Sequence, residues 1–254
     1  MKKGIWLLFL SLLGLQGYSQ TKANSMSKRI LIVVTSFDEV KSTGNKTGTW
    51  IEELATPYYQ FLDKGYTITL ASPQGGKGPV DPKSTRPEYS TDAVKRFFKD
   101  AAAQEKLEHT VQLSKVHAKD YDAVFYPGGH GPMWDLAENA LSVKLIESFY
   151  EAGKPVALVC HAPAALKNVK DKNGAPLVQG KQVAGFANTE EVAGQTTHEV
   201  PFMLEDMLKE KGSLYVKGPD WQPFAVSAGN LITGQNPASA VLVGEKVIAA
   251  LSGK

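Results

Sequence analysis

Three short apolar runs set the frame for this chain. They are Arg29-Ile-Leu-Ile-Val-Val-Thr35, Asp122-Ala-Val-Phe-Tyr126 and Pro155-Val-Ala-Leu-Val159. Runs this short, rich in β-branched residues and without polar alternation, read as strands buried on both faces, the habit of parallel sheets. Residues 66–71, 182–186 and 230–233 read as further strands. Between them lie helical patterns, from Trp50 to about Lys64, then 92–108, 141–152, 200–211 and 237–251, with a short helix from Ala162 onward. Gly65 and Gly153 follow two of these helices, where a left-handed residue closes the last turn. Strands alternating with helices predict an α/β three-layer sandwich of the flavodoxin-like type, a mostly parallel sheet with helices on both faces.

The 254 residues suit one such domain, and no linker divides them. With 43% hydrophobic residues, 21% charged residues and a net charge of +2, the chain has neither the composition of a disordered protein nor a nucleic-acid footprint. The start differs from the rest. Met1-Lys2-Lys3 is positive, residues 5–15 are apolar apart from Ser11 and Gly14, and Gly17-Tyr18-Ser19 offers small residues for cleavage. This is the layout of a secretory signal over 1–19, with a polar tether over 20–27 and the domain over 28–254. The apolar run falls short of the ~20 residues that span a bilayer. Export, to the periplasm, with no stable membrane association after cleavage, is the expectation. A single cysteine in an exported chain has no partner for an internal disulfide, so Cys160 needs another explanation.

The apolar strand 155–159 runs directly into Cys160-His161-Ala162-Pro163-Ala164, and a helix begins at once. That is the layout of a nucleophile elbow. A thiol at a helix N-terminus is expected to have a lowered pKa. His161 is the natural base. In open α/β sheets, ligands bind beyond the carboxyl ends of the strands, so the loops after Thr35, Tyr126 and Val159 should meet. Pro127-Gly128-Gly129-His130-Gly131 is the second of these loops. Its glycines would let backbone N–H groups approach a substrate oxygen, while His130 would cap the turn. Carboxylates come as two pairs, Glu52 with Glu53 and Glu190 with Glu191, and spacing does not choose within either pair. No metal-ligand spacing, phosphate loop or dinucleotide fingerprint occurs, so neither a metal site nor a cofactor is expected.

On these residues the chain resembles the ThiJ/PfpI superfamily, which is similar to class I glutamine amidotransferases. The likeness is strongest to its branch of heat-inducible chaperones and glutathione-independent glyoxalases (glyoxalase III). The matching pieces include Thr47-Gly-Thr-Trp-Ile-Glu-Glu-Leu-Ala-Thr-Pro57, Ala71-Ser-Pro-Gln-Gly-Gly76, Tyr121 through Gly131, Ala157-Leu-Val-Cys-His-Ala-Pro163, Gly185-Phe-Ala-Asn-Thr-Glu-Glu191 and Thr233-Gly-Gln-Asn-Pro-Ala-Ser239. They span almost everything after Lys28. The resemblance implies a Cys160, His161, Glu191 and Glu53 set. Glu53 would touch the nucleophile, Glu191 would orient the histidine, and Gly128, Gly129 and the backbone of His161 would supply oxyanion or substrate contacts. It also implies cofactor-free conversion of a small 2-oxoaldehyde to a 2-hydroxy acid, with a homodimer as the common assembly. A holdase chaperone, a deglycase and a cysteine amidase or peptidase are the other activities open to such a set. Two departures mark this chain: Ala162 stands where the branch commonly carries glycine, and most relatives lack an export signal.

Overall fold

The computed structural model describes Met1 and residues 27–253, so the signal expected over 1–19 and nearly all of the tether lie outside the described residues. The central sheet has seven strands: β1 (Arg29–Val33), β4 (Thr67–Ser72), β5 (Val111–Gln112), β6 (Ala123–Tyr126), β7 (Val156–Val159), β10 (Ala225–Ala228) and β11 (Leu231–Gly234). Their spatial order is β10-β11-β7-β6-β1-β4-β5. Every neighbouring pair is parallel except β10 with β11. Two small ribbons sit outside it, β2 (Glu39–Val40) with β3 (Asn45–Lys46), and β8 (Gln182–Val183) with β9 (Leu214–Tyr215).

The three apolar runs are the middle of the sheet. Ile30 to Val33 in β1, all of β6 and all of β7 are buried, as strands covered on both faces must be. The chain steps from β1 through α1 (Ile51–Asp63) to β4 on one side. It steps from β6, through α4 (Pro132–Asp135) and α5 (Ala140–Glu151), to β7 on the other. Parallel crossovers are right-handed, so steps in opposite directions put α1 and α5 on opposite faces. On its face, α1 packs against α2 (Asp92–Lys99) and α8 (Ala240–Leu251). The direction reverses between β1 and β6, which opens a crevice beyond their carboxyl ends.

Several boundaries depart from the sequence reading. The single helix expected over 92–108 is two, α2 and α3 (Ala101–Glu108), because Asp100 leaves helical geometry and accepts hydrogen bonds from Ala102 and Ala103 N–H as a cap. The strand expected over 182–186 is only β8 and lies outside the main sheet. Its continuation is taken from regular pairing when Phe186 N–H bonds Cys160 O at 2.9 Å and Ala184 N–H bonds Thr233 Oγ1 at 2.9 Å. The helix over 200–211 shrinks to α7 (Leu204–Glu210), and the turn after His161 is a 3-10 helix, Ala162–Leu166. Strands β5 and β10 carry no long apolar run and were not expected. β10 is half-exposed and antiparallel, joined to β11 by a tight turn with Gly229 at φ 65°. No helix among the described residues is long and apolar enough to cross a membrane.

Candidate active site

The crevice gathers the loop before α1, the glycine loop after β6, the elbow after β7 and α6 (Asn188–Ala193), with the turns around residues 83–89, 221 and 236–238 at its rim. At the elbow, Cys160 has φ 62°, a left-handed conformation that strains any residue with a Cβ. It is held there from both sides. Cys160 N–H donates to Gly234 O at 3.0 Å, and its carbonyl accepts Phe186 N–H. The turn forms with Ala162 in place, fully buried.

The strained turn brings neighbouring side chains face to face. Cys160 Sγ lies 3.2 Å from His161 Nδ1, and His161 Nε2 lies 2.8 Å from Glu191 Oε2. A carboxylate accepts only, so Nε2 carries the ring proton and Nδ1 is free to accept the thiol proton. Burial, reinforced by His130, lowers the His161 pKa to about 4, so the ring is neutral at neutral pH. Burial alone would raise Glu191, yet the two imidazoles beside it hold it well below the usual carboxylate range. Its other oxygen, Oε1, accepts from Thr196 Oγ1 and lies 3.2 Å from His130 Nε2. His130 was expected to cap its turn. Instead its ring packs on His161 with centroids 4.2 Å apart and shares Glu191 with it.

The structure also chooses within each carboxylate pair. Glu53 points to the elbow, where its Oε2 accepts Gly128 N–H at 2.7 Å. Its Oε1 is buried without a hydrogen-bond partner. Complete burial raises the Glu53 pKa to about 8. Glu52 turns away to Thr56 Oγ1, 2.6 Å, and Thr91 Oγ1. Glu190 is structural: it accepts Ala187 N–H, Trp221 N–H and Asn236 Nδ2, at 3.1, 2.7 and 2.8 Å.

Two expectations need correction. Cys160 is not a lowered-pKa thiol. Burial first, then the neighbouring Glu53 charge, pushes it well up, against the pull of the Gly129 N–H. The reason is geometric: the following 3-10 helix is only five residues long, too short for a strong dipole, and the thiol is 3% exposed. Gly128, expected to face substrate, spends its N–H on Glu53. A Cβ there would stand 2.6 Å from Val159 O and 2.8 Å from Cys160 Cβ, so the position admits only glycine. The N–H of Gly129 faces the sulfur, while the N–H of His161 makes no hydrogen bond among the described residues. Gly129 at φ 85° runs so close to the preceding loop that a Cβ would lie 2.3 Å from Gly48 O.

The relay opens into a cavity of about 640 Å³. Phe186 stacks on His161 at 4.2 Å and meets Trp221 edge-on, and Trp50, edge-on to Tyr89, also lines the cavity. None of these aromatics was singled out in the sequence, because aromatic residues in loops carry no spacing signature. Among the described residues, His130, His161 and Glu191 are the set whose donor atoms could hold a metal ion, all within 4.8 Å of one another. They sit on three separate segments, which is why no motif announces them.

The chain matches the DJ-1/PfpI family over residues 46–250. It is 34% identical to Glyoxalase 3 of Candida albicans over 232 residues, 87% of this chain and 98% of that one. A crystal structure of glyoxalase III from the same organism superposes with a TM-score of 0.80 at 31% identity, covering 88% of this chain and 97% of that one. The Rapid Encystment Protein 24 KDa of Francisella tularensis superposes with a TM-score of 0.84 at 38% identity, covering 88% of this chain and 99% of that one.

Proposed function

Because the chain belongs to the DJ-1/PfpI family, we propose that it converts 2-oxoaldehydes of the methylglyoxal type to 2-hydroxy acids without glutathione or any cofactor, a lyase-type reaction. The observation that carries this reading is the relay of Cys160 Sγ, His161 Nδ1, His161 Nε2 and Glu191 Oε2 at 3.2 and 2.8 Å, open to a cavity.

A thiol held neutral in the resting site is activated on demand. As Sγ attacks the aldehyde carbon, His161 Nδ1 takes its proton, and Glu191 stabilises the imidazolium. The new alkoxide is cradled by the N–H groups of Gly129 and His161 and becomes a hemithioacetal on protonation. Glu53, neutral at neutral pH, is a proton donor beside the sulfur. Base removal of the C1 hydrogen as a proton gives an enediolate, and return of that proton to C2 gives a thioester of the 2-hydroxy acid. Water then attacks the thioester carbonyl, releasing lactate and restoring the thiol. The sum is methylglyoxal plus water to lactate plus a proton, with no external oxidant. Purified protein given methylglyoxal alone should produce lactate, and Cys160→Ala should produce none. Lactate from Cys160→Ala at the wild-type rate would end this mechanism.

A further inference from the structure

The cavity has more room than methylglyoxal alone would fill. A volume of about 640 Å³ lies within the range that encloses drug-sized ligands. Methylglyoxal has few atoms and no charge. The lining is also one-sided in sign. Its permanently charged side chains are Lys83 and Arg86, with the neutral His161 ring beside them, and it carries no acidic side chain. Glu191 sits just behind this surface, fully occupied by the two histidines and Thr196.

The two permanent cations differ in their commitments. Lys83 Nζ is 3.4 Å from Glu199 Oε2, and that carboxylate already accepts from Asn45 Nδ2 at 2.5 Å. The Arg86 guanidinium makes no ion pair or hydrogen bond among the described residues. Its backbone is nonetheless well fixed. Arg86 lies between the 3-10 turns Pro82–Thr85 and Pro87–Tyr89, with φ −65° and ψ 152°, the extended geometry imposed by a following proline. Arg86 N–H bonds Lys83 O at 3.3 Å, Tyr89 N–H bonds Arg86 O at 3.0 Å, and the Tyr89 ring rests edge-on against Trp50 at 5.0 Å. A hydrogen-bonded turn thus places an exposed, uncommitted, planar, five-donor cation on the lining of the same cavity that holds the thiol. Such a fork suits a phosphate or carboxylate held in bidentate fashion.

We infer that the site takes 2-oxoaldehydes bearing an anionic group, phosphate or carboxylate, at the end remote from the aldehyde, with Arg86 and then Lys83 receiving that group. The inference rests on the glyoxalase reading above. The chemistry at C1 and C2 is unchanged, and the anionic group takes no part in bond making.

The test compares specificity constants of the wild type on three 2-oxoaldehydes at low salt: neutral 2-oxopentanal, 4,5-dioxopentanoate and 3-phosphooxy-2-oxopropanal. The expectation is kcat/KM about tenfold or more higher for the anionic substrates, the scale of one charge-assisted contact. The ratio of anionic to neutral kcat/KM should fall toward one in Arg86→Gln and in the Lys83→Gln/Arg86→Gln pair, and should shrink with added salt. Whichever anionic substrate has the larger ratio identifies the preferred group. A wild-type ratio at or below one, or a ratio indifferent to Arg86→Gln, overturns the inference while leaving the glyoxalase reading intact. Absence of turnover on all three substrates, by contrast, would sink the glyoxalase reading itself. Turnover of 2-oxopentanal by each variant reports that the variant is folded.

Discussion

At the scale of single residues, the site is a set of side chains each held in a state it would not choose alone. Cys160 keeps a left-handed backbone that costs a residue with a Cβ roughly 1–2 kcal/mol. Glycine is ordinarily destabilising relative to alanine inside a fold. Here the order should invert or vanish, so Cys160→Gly should melt no lower than Cys160→Ala in a thermal scan. A Cys160→Ala protein clearly more stable than Cys160→Gly would remove the case for strain at the elbow. Glu53 stores energy differently. Its pKa is raised from 4.5 to about 8, so the folded state keeps a proton that the unfolded chain has already released. Stability from this group is full below pH 4.5 and is lost as pH rises through about 8. His161, lowered to about 4, works in the opposite sense but only below pH 6.5, and the raised Cys160 thiol adds its own loss only as the unfolded thiol ionises near pH 9, so the window from pH 7 to 8 isolates Glu53. The unfolding free energy from urea titrations should fall for the wild type across that window, by about 1 kcal/mol, and should stay nearly level for Glu53→Gln. The same variant should alkylate with iodoacetamide at lower pH, since it removes one of the charges that pushes the Cys160 thiol up.

At the scale of elements, the glycine loop and the broken helix show two ways a local choice is imposed by its surroundings. Gly128 fits between Val159 O, Glu53 and Cys160, and Gly128→Ala would force all three apart. Its kcat/KM should fall at least about a hundredfold, the price of moving catalytic groups by around an ångström. A variant with near-normal activity would mean that this close packing is not needed. The α2–α3 break is a capping event. Asp100 accepts two N–H bonds at the start of α3 and the Tyr59 hydroxyl at 3.0 Å. Asp100→Ala should therefore destabilise the fold by about 1 kcal/mol or somewhat more, and Asp100→Asn by less. Equal stability of all three proteins would argue against the cap.

At the scale of the whole molecule, two questions turn on parts of the chain beyond the catalytic crevice. Export is proposed from the residues before Gln20 alone, and the protein recovered from a periplasmic fraction should begin near Gln20 on N-terminal sequencing. An intact Met1 in that fraction would oppose cleavage. A homodimer is likewise proposed, and light scattering after size exclusion should return twice the chain mass. Holdase activity, if present, depends on apolar surface rather than on the thiol. Suppression of client aggregation by Cys160→Ala at the wild-type level would then mark a second activity independent of the relay.

The architecture was legible because parallel sheets write themselves as short apolar runs, and β1, β6 and β7 fall where those runs are. The elbow was legible for the same reason, as a strand that ends on Cys160. Strands β5 and β10 left no such trace, since a strand exposed on one side or two residues long buries too little to need apolar residues. From spacing the partners of the relay were legible only as types, and it was the family resemblance that pointed to Glu53 and Glu191 by number. Which glutamate of each pair faces the thiol depends on the rotation of α1 and α6 against the sheet, and rotation is settled by packing over the whole core. The same holds for the sharing of Glu191 by His130 and His161, and for a thiol pKa that burial raises where helix position suggested the reverse. Sequence alone thus determined the fold class and the place of Cys160 at the end of a buried strand, which follow from patterns along the chain. Tertiary structure alone decided the proton states and the charge around the cavity, because both depend on distance and burial between residues far apart in sequence.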